Sequence, residues 1–470
     1  MEEKNMFLYI FKLCSILMII TITTPVFAAQ LVVGEGESYT NIQAAVDAAS
    51  EGDVVLIKPN TDPKGWRENI VINTNNITLR GDADAAEANL DDQVCPDVYL
   101  DGCETPDKFS SCGAVVITIN GYGVTIERIF LRHGSIRFNE TADNSTLKES
   151  CISGDYSSPV HSRGSSLTNV TISSNVFQGG DGDSIYLSGD NHVVMNNQFF
   201  SVDNGIEISG DGCRIVNNCI YSNEDEAIDL KGDNGVIENN LILGGEDGIE
   251  YDGNNPTITG NVIEDMDDDS LNVDCKTSCT GGLIENNRII GSTDGEQGLE
   301  ISNGKNMIIR NNHFSLVSDK ALYVKGSNCK IQNNTLIRNG GDNEASAMSI
   351  QGDNNEIENN VVKYNAASGI ETQGDGNSYT NNTVFGNGQA GIMISFSDTS
   401  DTVFNGNTIK NNHGEGIANG GVNTIITDNT ITGNRTDVCS DDGSISSFTG
   451  NTFTTGGTDT GCVVNIMTIP

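Results

Sequence analysis

The alternation of apolar and polar side chains between Ile172 and Phe453 follows one short rule that returns every 21, 22, 25 or 26 residues. Its marker is an asparagine, at Asn175, Asn197, Asn218, Asn240, Asn261, Asn287, Asn312, Asn334, Asn360, Asn382, Asn407, Asn429 and Asn451. An apolar residue lies three positions before each marker, as in Ile215 and Ile237, and another lies two positions after it, as in Ile220 and Ile242. A period near 22 sustained over thirteen copies predicts stacked units that share one continuous core. Each unit divides into three short strands. In the copy from Gly212 to Gly232 these are Cys213 to Asn217, Cys219 to Ser222 and Ala227 to Lys231, with corners at Asn217-Asn218, Asn223 to Glu226 and Gly232-Asp233. Asparagine suits corners because it tolerates the left-handed backbone region. A leucine-rich repeat would need L-x-x-L-x-L ahead of its asparagine, and Arg214-Ile215-Val216 offers one core position only. The predicted fold is therefore all-β, a parallel β-helix of about 13–16 rungs, regular over 172–453.

The rest of the chain frames that stack. Tyr39 to Ser50 has apolar residues at helical spacing (Ile42, Ala45, Val46, Ala49) with Thr40 or Asn41 as cap, and strand-like stretches follow at Val54–Ile57 and Glu68–Leu79. Residues 29–58 thus read as an N-terminal cap with a short helix, sealing the open end of the stack. Residues 89–112, rich in Asp and Cys, read as a loop insertion. Met1 to Ala28 has Lys4 and Lys12, an apolar run from Leu13 to Ile22, and a small-residue site at Val26-Phe27-Ala28, so residues 1–28 are predicted to be a secretory signal and residues 29–470 a secreted β-helix domain. Eleven of the 12 cysteines lie after that signal, and export makes disulfides the expected use for most of them, with Cys275 and Cys279 bracketing a short loop and Cys439 and Cys462 one repeat apart.

Charge changes the picture next. The chain carries 25 basic and 65 acidic residues, a formal net of −40. No nucleic-acid partner is expected, since phosphate binding needs clustered Lys and Arg. No membrane partner is expected after signal removal, and oligomeric state is left open. An acidic surface binds an anionic polymer only where cations bridge the two.

The opening YTNIQAAVDAASEGDVVLIKPNTDPKGWRENIVI, followed by NNITLRGD and then by the NN-centred rungs, resembles the right-handed parallel β-helix proteins of the pectin-lyase-like superfamily. That resemblance, from about Tyr39 onwards, implies a right-handed coil and a polysaccharide-handling role. It also implies the lyase arrangement in which calcium bridges protein carboxylates to substrate uronates while a Lys or Arg draws off the C5 proton.

The third strand of each unit carries the candidate chemistry. Its pattern is apolar, variable, apolar, as in Ile206-Glu207-Ile208 and Ile228-Asp229-Leu230, so the middle residue must face solvent. Down the stack that column reads Arg137, His161, Tyr186, Glu207, Asp229, Glu250, Asn272, Glu300, Tyr323, Ser349, Glu371, Met393, Ala418. Two residues further on, the same face adds Arg163, Ser188, Ser209, Lys231, Asp252 and Asp274, and the preceding corner adds Asp225, Glu226, Asp247, Asp268 and Asp269. Carboxylates one rung apart, about 4.8 Å, repel by roughly 3 kcal/mol at an effective dielectric near 20. Raised pKa values, pairing with Lys231 or a bound cation would relieve this. Glu207, Asp229, Glu250 and Asp252 are the candidate calcium ligands, because calcium takes six to eight oxygens. Lys231 and Arg163 are the candidate bases, with His161 and Tyr186 as base or acid partners. Asn272, Asp269 and Glu300 are the candidate substrate contacts. The expected activity is calcium-assisted β-elimination on acidic polysaccharide. Two alternatives stand beside it. One is a non-catalytic adhesive surface protein whose acidic row serves solubility. The other is a glycoside hydrolase using paired carboxylates about 5 or 9.5 Å apart: Asp268-Asp269-Ser270-Leu271 resembles the paired-Asp motif of β-helix galacturonases, with Asp247 one rung before it, although the His-containing motif that this resemblance implies one rung later is missing.

Overall fold

In the computed structural model the described residues are 28–62, 65–82, 95–102, 115–154, 158–180, 182–292, 296–341, 345–395, 399–440 and 443–453. The chain winds into a parallel β-helix. One sheet stacks 18 first strands, from Gln30–Val33 to Ile445–Thr449, and a 30-stranded sheet holds the second and third strands. The predicted corner at Asn223 to Glu226 does not separate those two faces, because Cys219–Lys231 and Leu241–Asp252 run through it as single bent strands with a register shift at the bend.

Coiling begins earlier than the repeat pattern suggested. Gln30–Val33 pairs in parallel with Val54–Ile57, so residues 29–58 contribute rungs as well as a cap. Within Tyr39–Ser50 the helix itself is Ile42–Ala48, with Asn41 as its cap accepting from the Ala44 backbone N–H and Ile42, Ala45 and Val46 buried. Part of the predicted insertion also joins the stack: Tyr99–Asp101 pairs with Phe130–Arg132 because Leu100 supplies a buried core side chain. The segment 1–27, most of 89–112 and Cys462 lie outside the described residues.

Three inward columns fill the core, such as Ile215–Ile237–Ile258, Ile220–Ile242–Ile263 and Ile228–Ile249–Leu271, all fully buried or nearly so. At the first corner the asparagine pair divides its work. Asn217 adopts the left-handed conformation (φ 57°), as Asn196 and Asn239 do one rung away. Asn218 points inward, where its Nδ2 donates to Asn240 Oδ1 (3.1 Å) and to the Val194 carbonyl (3.0 Å). The same bonds recur from Asn175 to Asn451. Stacked amides thus satisfy backbone groups that the corner would otherwise leave buried and unpaired.

A second asparagine ladder closes the next corner in the later rungs, Asn339–Asn365–Asn387–Asn412–Asn434. In the middle rungs the equivalent positions are Asn223, Gly245, Met266 and Ser292, so that corner is not sealed by amides there. The residue just before it is left-handed in every rung from Ser201 to Gly433. Most rungs place Ser, Gly, Asp or Asn at it, but Leu316, Arg338 and Tyr364 occupy it at φ 62°, 60° and 59°. Bulky side chains in that region cost of order 1 kcal/mol each.

Disulfides join Cys95 to Cys151 and Cys275 to Cys279, and Cys439 is also bridged. The first of these ties the insertion to the stack instead of closing a loop inside it. Among the described residues Cys213, Cys219 and Cys329 are free thiols. No helix among them is long and apolar enough to cross a membrane.

Candidate functional site

Third strands stack in the register that their alternation implies. Arg137 pairs with His161, His161 with Tyr186, Tyr186 with Glu207, Glu207 with Asp229, Asp229 with Glu250, Glu250 with Asn272 and Asn272 with Glu300. The column then continues through Tyr323, Ser349, Glu371 and Met393 to Ala418. Its core neighbours fix this placement: with Ile206, Ile208, Ile228 and Leu230 buried, Glu207 and Asp229 have only the outer face left.

Lys231 resolves part of the crowding. Its Nζ lies 3.1 Å from Glu207 Oε1 and also donates to Asp229 Oδ2. Burial pulls Lys231 down, but Asp229 and Glu207 together hold it above the ordinary lysine value. A lysine so placed is a counterion that stays protonated, which disfavours its use as the proton-abstracting base. Asp229 is 7% exposed, and burial with the flanking Glu250 and Glu207 pushes it up to about 6 even against Lys231. Its Oδ1, like Asn272 Oδ1, is buried without a hydrogen-bond partner among the described residues. Glu250 lies in register between the two. Asp252 shares the face, next to Lys231 in register, and pairs with Lys276 at 3.3 Å. Glu300 is engaged, accepting from Ser302 Oγ and Lys325 Nζ, each at 2.8 Å.

At the other end of the column, His161 Nδ1 lies 3.0 Å from the Ser158 carbonyl, so that nitrogen carries the proton. Nε2 is left as an acceptor, facing Arg137 Nε at 3.2 Å. Burial, with Arg137 adding to it, pulls His161 below the usual histidine range, so the ring is neutral at pH 7. Tyr186 stands one rung further on. Arg163 is exposed and belongs to the adjacent column, opposite Asn139.

The unsealed corner of the middle rungs forms a groove of about 490 Å³ lined by Asn223, Glu224, Gly245, Glu246, Asp267, Asp268 and Glu296. No Lys or Arg lines it. Oxygens of Asp268, Asp269 and Glu296 all come within 4.8 Å of one another, the one such trio among the described residues. Asp269 Oδ1 accepts from the Gln297 backbone N–H at 2.9 Å, and burial reinforced by Glu300, Asp268 and Glu296 pushes Asp269 up to about 7. Asp247 rises to about 6 through burial and Asp268, and Glu226 to about 7 through burial with Asp225, Asp229 and Glu250 adding. The carboxylates that converge most closely are therefore at the corner, not among Glu207, Asp229, Glu250 and Asp252. Sequence reasoning left out Glu296, Glu224 and Glu246. The signal for Glu246 and Glu296 was Gly245 and Ser292 in place of the second ladder's asparagine, whereas Glu224 follows Asn223 and had none.

Comparison with known proteins agrees with this architecture. The family described as "Right handed beta helix region" matches residues 158–278 and 248–400, together just over half the chain. No curated protein matches the sequence. Among solved structures, the chain is similar to the A-module of a mannuronan C-5 epimerase, AlgE6, from Azotobacter vinelandii (14% identity over 77% of this chain and 92% of that one, TM-score 0.39). It is similar also to a PL6 alginate lyase crystallised with a trisaccharide (15%, 76% and 85%, TM-score 0.47). A third is the catalytic unit of a GH87 α-1,3-glucanase from Streptomyces thermodiastaticus (12%, 93% and 70%, TM-score 0.40).

Proposed function

The chain belongs to the right-handed β-helix family, and from that premise we propose that it is a secreted protein whose third-strand face binds an acidic polysaccharide through calcium and cleaves it by β-elimination. The observation that supports this most is the single outward column in which Arg137, His161 and Tyr186 lead directly into Glu207, Asp229, Glu250 and Asn272. A column that advances one side chain per rung along the axis suits a linear polymer. The disulfides fit an oxidising compartment outside the cell.

Asp268, Asp269 and Glu296 are the best seat for calcium, with Asp247 beside them. Their donors are all hard oxygens, they converge, and no basic side chain lines the groove to offset them. Asp229 Oδ1, Glu250 and Asn272 Oδ1 offer further oxygens on the neighbouring column. These residues would hold calcium, and the ion would supply positive charge to offset a substrate uronate. His161 Nε2 takes the C5 proton, the electron pair forms the C4–C5 double bond, the C4–O bond breaks, and the Tyr186 hydroxyl protonates the departing oxygen. Arg137 and Arg163 are the groups to hold the carboxylate whose α-proton is removed, and Lys231 holds Glu207 and Asp229 in place.

The test combines calcium titration with a panel of polyuronates. Calcium should raise the melting temperature and EGTA should reverse the rise, with both responses gone in Asp268→Asn/Asp269→Asn. Cleavage should appear as ultraviolet absorbance from unsaturated ends and vanish in His161→Gln. Saccharide release without that absorbance would favour hydrolysis by Asp247 and Asp269, whose raised carboxyls one rung apart suit a proton donor and its partner. Binding without any cleavage across the panel would favour the adhesive reading.

A further inference from the structure

On the second-strand face acids are scarce even in the middle rungs, where Glu264 stands among Phe200, Tyr221, Leu243 and Ile290, and the later rungs add basic groups to that face. From His313 to Lys410 its outward positions are His313, Ser315, Thr335, Ile337, Val361, Lys363, Thr383, Phe385, Thr408 and Lys410, with no acid among them. Ile337, Lys363, Phe385 and Lys410 stack in register on four successive rungs. Along the edge of this face stand the left-handed Leu316, Arg338 and Tyr364. Leu316 is 58% and Tyr364 52% exposed, two of the few large apolar side chains on the surface. The Tyr364 ring meets Phe385 edge to face at 5.4 Å. Arg338, Lys363 and Lys410 form no ion pair among the described residues, whereas lysines and arginines elsewhere on the stack are mostly paired, as Arg310 is with Glu285 and Lys330 with Glu356.

We propose that this strip, centred on Arg338, Lys363 and Tyr364, is a second, cation-independent binding surface for a linear polysaccharide bearing carboxylates. The proposal shares with the functional reading above only the class of polymer. Three positive groups without an ion-pair partner among the described residues, spread along the axis, match anionic groups repeating along a chain, and Tyr364 and Leu316 offer apolar surface to the C–H faces of sugar rings. Exposure and strain point the same way. Bulky residues at left-handed corners do nothing for the corner that Gly386 or Asn411 does not do more easily. A second copy of the chain is a poorer occupant, since it would bring together two molecules of net charge −40. Nucleic acid is also poorer, because so few basic groups meet it against that net charge.

The test is binding of sodium polygalacturonate to the full chain in EGTA, followed by affinity electrophoresis or calorimetry at low and moderate salt. Binding should be present without calcium, weaken as salt rises, and fall at least tenfold in Arg338→Asn/Lys363→Ala and in Tyr364→Asn. Because asparagine suits φ near 60°, Arg338→Asn and Tyr364→Asn should melt no lower than the wild type, which separates lost binding from lost fold. Absence of binding in EGTA, or binding unchanged in these variants, would overturn the proposal. So would equal affinity for a single-stranded DNA oligonucleotide, or self-association that Lys363→Ala abolishes. None of these outcomes depends on whether the acidic groove takes calcium or cleaves anything.

Discussion

The backbone N–H of Asp269 donates to Asp247 Oδ1 across one rung at 3.1 Å, so two carboxyls with raised affinity for protons share one corner. Asp247 and Asp229 sit at about 6, Asp269 and Glu226 at about 7, all from burial first and neighbouring acids second. In the unfolded chain such groups titrate near 4. Between those limits the folded state binds more protons at these four groups than the unfolded one, so their contribution to stability falls as pH rises from about 4 to about 7 and outweighs the smaller opposite slope of the buried His161. The expected result is a melting temperature higher at pH 5 than at pH 8 in EGTA. Asp269→Asn should be more stable than wild type at pH 8 by on the order of 2 kcal/mol and should flatten the profile. A profile rising toward pH 8 in EGTA would mean that the corner is not charge-strained.

The inner asparagines should matter far more in mid-stack than at the end. Asn240 Nδ2 donates to the Ile215 carbonyl and to Asn261 Oδ1, while its Oδ1 accepts from both the backbone and side chain of Asn218. Asn240→Ala would leave several buried polar groups unpaired, at about 1–3 kcal/mol for each. Asn451, in the last described rung and half-buried, has fewer bonds to lose. Denaturant unfolding should therefore show a large loss for Asn240→Ala and a small one for Asn451→Ala. Equal losses would assign the ladder no cumulative role.

How much of this could be read from sequence depends on which contacts repeat. The outward column from Arg137 to Ala418 was legible residue by residue, because alternation and a buried flank leave each middle residue one direction to face. Contacts that do not repeat were not legible. Lys231 could have reached either neighbouring carboxylate or solvent, and only the fold shows it on Glu207 and Asp229 together. Cys95 and Cys151 are 56 residues apart in sequence and meet because the stack carries Cys151 past the insertion. The second ladder was hidden for another reason. Asn339 and Asn365 each look like ordinary turn residues until the rungs are aligned five positions after the first marker.

His161 and Lys231 can be told apart by what each substitution removes. His161→Gln takes away the Nε2 acceptor that faces Arg137 and should lower elimination by about 10²- to 10⁴-fold with little change in melting. Lys231→Met leaves Asp229 and Glu207 without their counterion and should cost about 1–2 kcal/mol, given the partial exposure of the lysine. Because Asp229 sits at about 6, that loss should be greater at pH 8 than at pH 5. An elimination rate that survives His161→Gln but follows Lys231 through its pH profile would return the base to the lysine.

Gly235 and Tyr251 make the sharpest packing prediction. Tyr251 is fully buried, its hydroxyl donating to the Gly232 carbonyl at 2.6 Å and accepting from the Gly235 N–H at 3.1 Å. A Cβ on Gly235 would lie 2.7 Å from both Tyr251 Cε2 and Leu230 Cδ2. The tyrosine ring therefore occupies the space that a core side chain fills in neighbouring rungs, such as Cys213 one rung earlier. Gly235→Ala should cost about 1–3 kcal/mol by overpacking, and Tyr251→Phe about 1–3 kcal/mol through the two backbone groups left unpaired. Shortening the ring to Tyr251→Leu should make room for the new methyl, so Gly235→Ala/Tyr251→Leu should be more stable than the sum of its single changes predicts, by 0.5 kcal/mol or more on the usual scale of about 0.5–3 kcal/mol for residues in contact. Strict additivity in that cycle would assign the clash to Leu230 and not to the ring beside it.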